Sequence, residues 1–113
     1  MNSIIEKIGD QTLIIRLQGE LDHHTIKLLR KEISFCLVTQ PIRMIVWDLK
    51  NVSFMDSSGI GLILGRMREM EPFGGQTMIV HASPTIRKIF QYAGLGPYIV
   101  TAEETLKIEE VNK

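Results

Sequence analysis

Apolar residues along this chain come in two rhythms. From Gln11 to Leu17 (QTLIIRL) and from Ile42 to Leu49 they are crowded, short and partly β-branched, the pattern of strands buried in a sheet. From His23 to Leu37 they recur at helical spacing instead, at Ile26, Leu29, Ile33, Cys36 and Leu37, with Lys27, Arg30 and Lys31 between them. Ser3 to Lys7 reads as a further strand, joined to Gln11–Leu17 through Gly9-Asp10 as an antiparallel hairpin. Gly19-Glu20-Leu21-Asp22 reads as a polar turn whose last residue caps the first helix, and Pro41 ends that helix. A second helix opens at Asp56-Ser57-Ser58-Gly59, with Ile60, Ile63, Leu64, Met67 and Met70 as its apolar face, and stops at Pro72, Gly74 and Gly75. Gln76 to Val80 is another strand. Ser83-Pro84 starts a third helix carrying Ile86, Ile89, Phe90 and Ala93 inward to a left-handed stop at Gly94. Tyr98 to Val100 is a last short strand, and Thr101 with Glu104 makes a capping box for a fourth helix containing Leu106 and Val111.

Alternating strands and helices predict an α/β fold, a mixed and mostly parallel sheet with right-handed crossovers, an N-terminal antiparallel hairpin and about four α-helices. Its 113 residues suit one domain over 1–113, and an apolar content of 44% supports a real core. Thirteen basic against thirteen acidic residues give no net charge, which argues against non-specific nucleic-acid binding. No apolar run reaches bilayer length, and MNSIIEKIGD lacks a basic-then-apolar leader, so the expectation is a cytoplasmic protein without a membrane partner. The single Cys36 has no internal disulfide partner and sits on an apolar face.

In sheets of this kind, sites form where strands end and helices begin. Asp56-Ser57-Ser58-Gly59 stands at one such place and Gly19 to Asp22 at a neighbouring one. One cap is enough for a helix, and three polar residues plus a glycine exceed that need. Gly59, Gly61 and Gly65 each cost about 1 kcal/mol against Ala in an exposed helix interior. The expectation is that Gly61 and Gly65 approach the sheet closely, while Gly59 leaves room for another molecule to reach the serines. A serine there could be a nucleophile, a phosphate ligand or a phosphate acceptor. The first needs a base, and His23, His24 and His81 carry no feature orienting them; the local pattern is not G-x-S-x-G. The second would need a phosphate-loop lysine, which is absent. The third needs only exposure and a kinase, and it adds about −1.5 to −2 charges. A serine hydrolase and a nucleotide-binding domain stay open as alternatives at this point.

The segment VWDLKNVSFMDSSGIGLILGR resembles the phosphorylation segment of STAS-domain anti-sigma factor antagonists, and GELDHHT (Gly19 to Thr25) resembles the sporulation branch of that family, which acts on sigma-F. The likeness runs over essentially the whole chain. It implies a non-enzymatic binding module that frees a sigma factor by capturing its anti-sigma factor, itself a serine kinase. Phosphorylation by that kinase at Ser57 would inactivate the module, and a PPM-type phosphatase would restore it. The general-stress branch of the family is the nearest alternative. The resemblance further implies partner contacts at Glu20, Asp22, His23, Asp56, Ser57, Ser58, Gly59, Ile60 and Arg66, no cofactor of its own (ATP and magnesium belong to the kinase) and a monomer when free. Arg66 and Arg68 read as solvent-side helix charges, Asp48 as a strand-end residue satisfying loop amides, and Trp47 as cover for one sheet face.

Overall fold

At the centre of the sheet the apolar rhythm and the structure coincide; they part at its ends. The structure, a computed structural model, describes residues 3–9 and 11–100. Strands β1 (Ile4–Ile8), β2 (Thr12–Leu21), β3 (Met44–Met55) and β4 (Gln76–Val80) lie in the order β1-β2-β3-β4. β1 pairs with β2 antiparallel after a turn in which Gly9 takes φ +63°, a left-handed conformation that glycine adopts without strain. The other pairs are parallel and enclose α1 (His23–Thr39) and α2 (Ser57–Met70) as crossovers.

Both crossover helices and α3 (Pro84–Tyr92) lie on one face of the sheet. Ile26, Leu29 and Ile33 of α1, Leu62, Ile63 and Met70 of α2, and Ile86 and Phe90 of α3 share one core with Leu13, Ile15, Leu17, Ile45, Trp47, Leu49 and Ile79. Each large side chain fully buried there contributes about 1.5–3 kcal/mol, which secures the three helices to the sheet. Trp47 is wholly buried on this face, and among the described residues its indole Nε1 has no hydrogen-bond partner. Among the described residues, the reverse face carries the smaller cluster of Ile14, Val46 and Val80.

β2 and β3 run further than predicted. Gly19, Glu20 and Leu21 are strand rather than turn, and β3 continues through Lys50–Met55. From the pair Arg16–Asp48 to the pair Leu21–Met55, β2 advances five residues and β3 seven, so β3 holds two extra residues as bulges. β1 pairs no further than Arg16 and β4 no further than Asp48. Beyond those residues the described sheet narrows to a two-stranded ribbon. Polar residues such as Gln18, Lys50 and Ser53 are tolerated there, and they disguise the strand in the sequence.

Three further expectations shift. The buried face of α2 is Gly59, Leu62, Ile63, Arg66 and Met70, with Ile60, Leu64 and Met67 only half-buried. Ile89 of α3 is exposed. Tyr98–Val100 is no strand: Gly96–Tyr98 is a 3-10 turn, followed by a single bridge from Ile99 to Ile79. The described residues hold three α-helices, and the expected fourth lies at residues 101–113, outside them. The stop of α3 is as predicted. Gly94 takes φ +84°, its amide donates to the Gln91 carbonyl at 3.2 Å and the Leu95 amide donates to the Phe90 carbonyl at 2.9 Å.

Candidate functional site at two adjoining helix mouths

The register of the ribbon places the site. Leu21 of β2 and Met55 of β3 are paired, both buried, and the next residue in each chain segment is an aspartate that caps a helix. Adjacent strands lie about 4.8 Å apart, so α1 and α2 begin side by side. Asp22 sits in extended backbone and its Oδ1 accepts the Thr25 amide at 2.9 Å. That bond, from the third residue of the helix, holds the Asp22 carboxyl below the usual carboxylate range, with a smaller contribution from nearby His24. Asp56 does the same for α2: its Oδ1 accepts the Ser58 amide at 2.8 Å and its carbonyl accepts the Gly59 amide at 3.0 Å.

Because Asp56 already serves as the cap, neither serine is needed for it. Ser57 is exposed at the first position of α2 and Ser58 is half-buried at the second, and neither hydroxyl hydrogen-bonds to another described residue. Ser57 therefore presents an unengaged hydroxyl beside amides with partial positive charge. His23 and His24 occupy the first two positions of α1, both exposed. Glu20 is exposed and pairs with Phe54 across the ribbon.

The glycine roles are the reverse of those expected. Gly59 is buried, and a Cβ there would collide with Cγ and Sδ of Met55, so it is the point of close approach between α2 and the strand it leaves. Gly61 and Gly65 face open space, where a Cβ at either position would meet nothing within 4 Å. Arg66 is likewise not a solvent-side charge. It is 7% exposed, its Nε donates to Glu69 Oε1 at 2.6 Å, and Glu69 also accepts the Ser34 hydroxyl of α1 at 2.9 Å. Arg66 lies four residues before Met70 and four after Leu62, on the buried stripe, so it ties α2 to α1 through Glu69 and offers no guanidinium outward. One of its terminal nitrogens is buried with no hydrogen-bond partner among the described residues.

Other residues are set apart from this site. β4 stops at Val80, opposite Asp48, so the mouth of α3 at Ser83 lies below the ribbon tip. His81, just past β4, holds φ +60°, a conformation that nothing in its sequence neighbourhood signals. Asp48 accepts the Lys50 amide at 3.0 Å, as expected of it, but in mid-strand at a bulge. A cleft of about 1020 Å³ between Met44, Met67, Arg68, Gln76, Met78 and Tyr98 lies at the strand beginnings and shares no residue with the two mouths. Among the described residues no three His, Cys, Asp or Glu side chains are grouped to hold a metal ion, and no helix is long and apolar enough to cross a membrane.

The STAS domain family model matches residues 3–109. The anti-sigma F factor antagonist of Lysinibacillus sphaericus is 46% identical over 111 residues, covering 98% of this chain and 95% of that protein. Among solved structures, the anti-sigma factor antagonist SpoIIAA in its unphosphorylated form superposes with a TM-score of 0.85 at 43% identity, over 96% of each chain. The phosphorylated form of the Bacillus cell-fate determinant SpoIIAA gives 0.78 at 44% identity, over 94% of this chain and 97% of that one. The likeness in sequence and in fold runs along almost the full length, and the chain belongs to the STAS-domain family of anti-sigma factor antagonists.

Proposed function

We infer that this protein is an anti-anti-sigma factor whose unphosphorylated form captures an anti-sigma factor, and that phosphorylation of Ser57 ends the capture. The observation that carries the reading is the free, exposed Ser57 hydroxyl at the start of a helix already capped by Asp56. Its partner is an anti-sigma factor that doubles as the ATP-dependent kinase, and a PPM-type phosphatase reverses the modification. ATP and magnesium belong to the kinase; this chain acts as a cofactor-free monomer in the cytoplasm. The 46% identity to a sigma-F antagonist favours a sporulation target over a stress one.

Magnitudes explain why one phosphate is enough. At the mouth of α2 the helix amides favour the new charge by up to ~2 kcal/mol. Asp56 opposes it by about 1 kcal/mol per charge pair at 4 Å in water. These terms nearly cancel, so the fold tolerates the group without rearrangement. A partner surface packed over Ser57 would have to strip water from a charged group, at a cost of several kcal/mol. The complex is lost while the domain stays folded.

Incubation with ATP, magnesium and the cognate anti-sigma factor, followed by peptide mass mapping, tests the site. Added mass is expected on Ser57 alone; wild-type phosphorylation of Ser57→Ala would move the assignment to Ser58. Amide chemical shifts of the two forms should differ only around the two mouths, and changes spread through α3 would refute a local switch. Dialysis against labelled nucleotide without the kinase is expected to show no binding.

A further inference from the structure

A single exposed apolar side chain is ordinary on a protein surface, but an aromatic one within reach of a binding site is a candidate contact for the partner, since aromatic residues are enriched at interfaces. Phe54 is 55% exposed and the core does not use it. Its neighbour Met55 turns into the core with Leu21, so Phe54 turns to the opposite face together with its register partner Glu20. The ribbon beneath it has no third strand among the described residues, and Phe54 stays more than half exposed. Phe54 is three residues from Ser57, which limits their Cα separation to at most ~11 Å. An interface of standard size covers about 800 Å² on each partner, a disc of radius ~16 Å. Any interface centred on Ser57 and open to the ribbon tip therefore reaches Phe54.

Lower on the ribbon β3 carries one basic side chain, Lys50; at the tip the charges are acidic. Glu20, Asp22 and Asp56 cluster at the ribbon tip, and none forms a salt bridge with another described residue. Buried aromatic anchors with a charged rim are the usual energetic centre of protein interfaces. Other exposed aromatics lack this setting: Tyr92, at the far end of α3, has no place at the two mouths.

We propose that Phe54 is the apolar anchor of the docked state, inserted into an apolar pocket of the anti-sigma factor whose rim carries basic side chains facing Glu20, Asp22 and Asp56. This rests on the function inferred above. It assigns a contact outside the set of partner contacts that the resemblance implies, and it separates two tasks: Phe54 supplies affinity, and Ser57 decides whether that affinity can be used.

Titration of the unphosphorylated full chain against the cognate anti-sigma factor tests the proposal. Phe54→Ala should weaken binding at least tenfold and lower kcat/KM for phosphorylation in step, with its melting temperature within a degree or two of wild type. Glu20→Gln should weaken binding two- to fivefold at low salt and have little effect at high salt. A photoreactive benzoylphenylalanine at position 54 should crosslink to the anti-sigma factor, and the same group at position 92 should not. Binding of Phe54→Ala within twofold of wild type, or crosslinking from position 92 but not 54, overturns the anchor and leaves the switch at Ser57 standing. Failure of the wild-type chain to bind any anti-sigma factor overturns both.

Discussion

α1 and α2 leave the sheet from paired residues and are capped by the same residue type in the same backbone conformation, yet their mouths are built for different ends. Asp22 is followed by His23, His24 and Thr25; Asp56 by Ser57, Ser58 and Gly59. The first mouth closes on itself, because Asp22 reaches the third amide of α1. The second is drawn down against β3: Gly59 lets the backbone of α2 lie on Met55, and Asp56 reaches only the second amide. Capping is therefore common to both and explains neither the serines nor the glycine. What distinguishes α2 is a hydroxyl that the cap does not use, held at a fixed height by a glycine that only close packing requires.

The sharpest way to break this contrast is to move the hydroxyl. Ser57→Ala should fall from complete phosphorylation to none, and adding His23→Ser to it should not restore the modification. Phosphate mapped to position 23 would mean that either mouth can serve as acceptor. Next in size is the close approach. Gly59→Val should destabilise the protein by about 1–3 kcal/mol through overpacking against Met55, measured by urea denaturation. The same experiment on Glu69→Ala tests how the two helices are held together. Losing the carboxylate leaves the buried Arg66 guanidinium unpaired, at a cost of about 2 kcal/mol. That is less than for a fully buried pair, because the Glu69 side chain is 37% exposed. Gly61→Ala goes the other way. With open space around it and an ordinary helical φ, it should stabilise by up to ~1 kcal/mol, raising the melting temperature by about 4 °C.

The smallest effect is the pH dependence of the first cap. The Asp22 carboxyl is held below its unfolded value, chiefly by the Thr25 amide, so its stabilising contribution is present above the ordinary carboxylate range. It is lost as pH falls through the lowered folded value. The stability gap between wild type and Asp22→Asn should therefore be present above the ordinary carboxylate range and shrink in acid, as followed by thermal melts. A gap that grows in acid would contradict the cap.

Much of this molecule was legible locally. The Asp22 cap, the Ser83-Pro84 start, the Gly94 stop, the N-terminal hairpin and the strand Gln76–Val80 all depend on a few neighbouring residues, and the structure shows each of them. The motif around Ser57, with GELDHHT, was enough to identify the family. Phe54 carries no such signal, because one aromatic at the end of a strand has no periodicity to say which face it takes.

The chain order of turns, caps and apolar runs determined the α/β class, the crossover connections and the place where a helix would open on a serine. The tertiary structure alone decided how far β2 and β3 extend, which face of α2 is buried, that Gly59 and not Gly61 meets the sheet, and that Arg66 is enclosed with Glu69 and Ser34. The division follows from range. Caps and turns are settled by bonds a few residues long, whereas strand length, helix rotation and close approach depend on which distant side chains arrive on each side, and no local pattern records that.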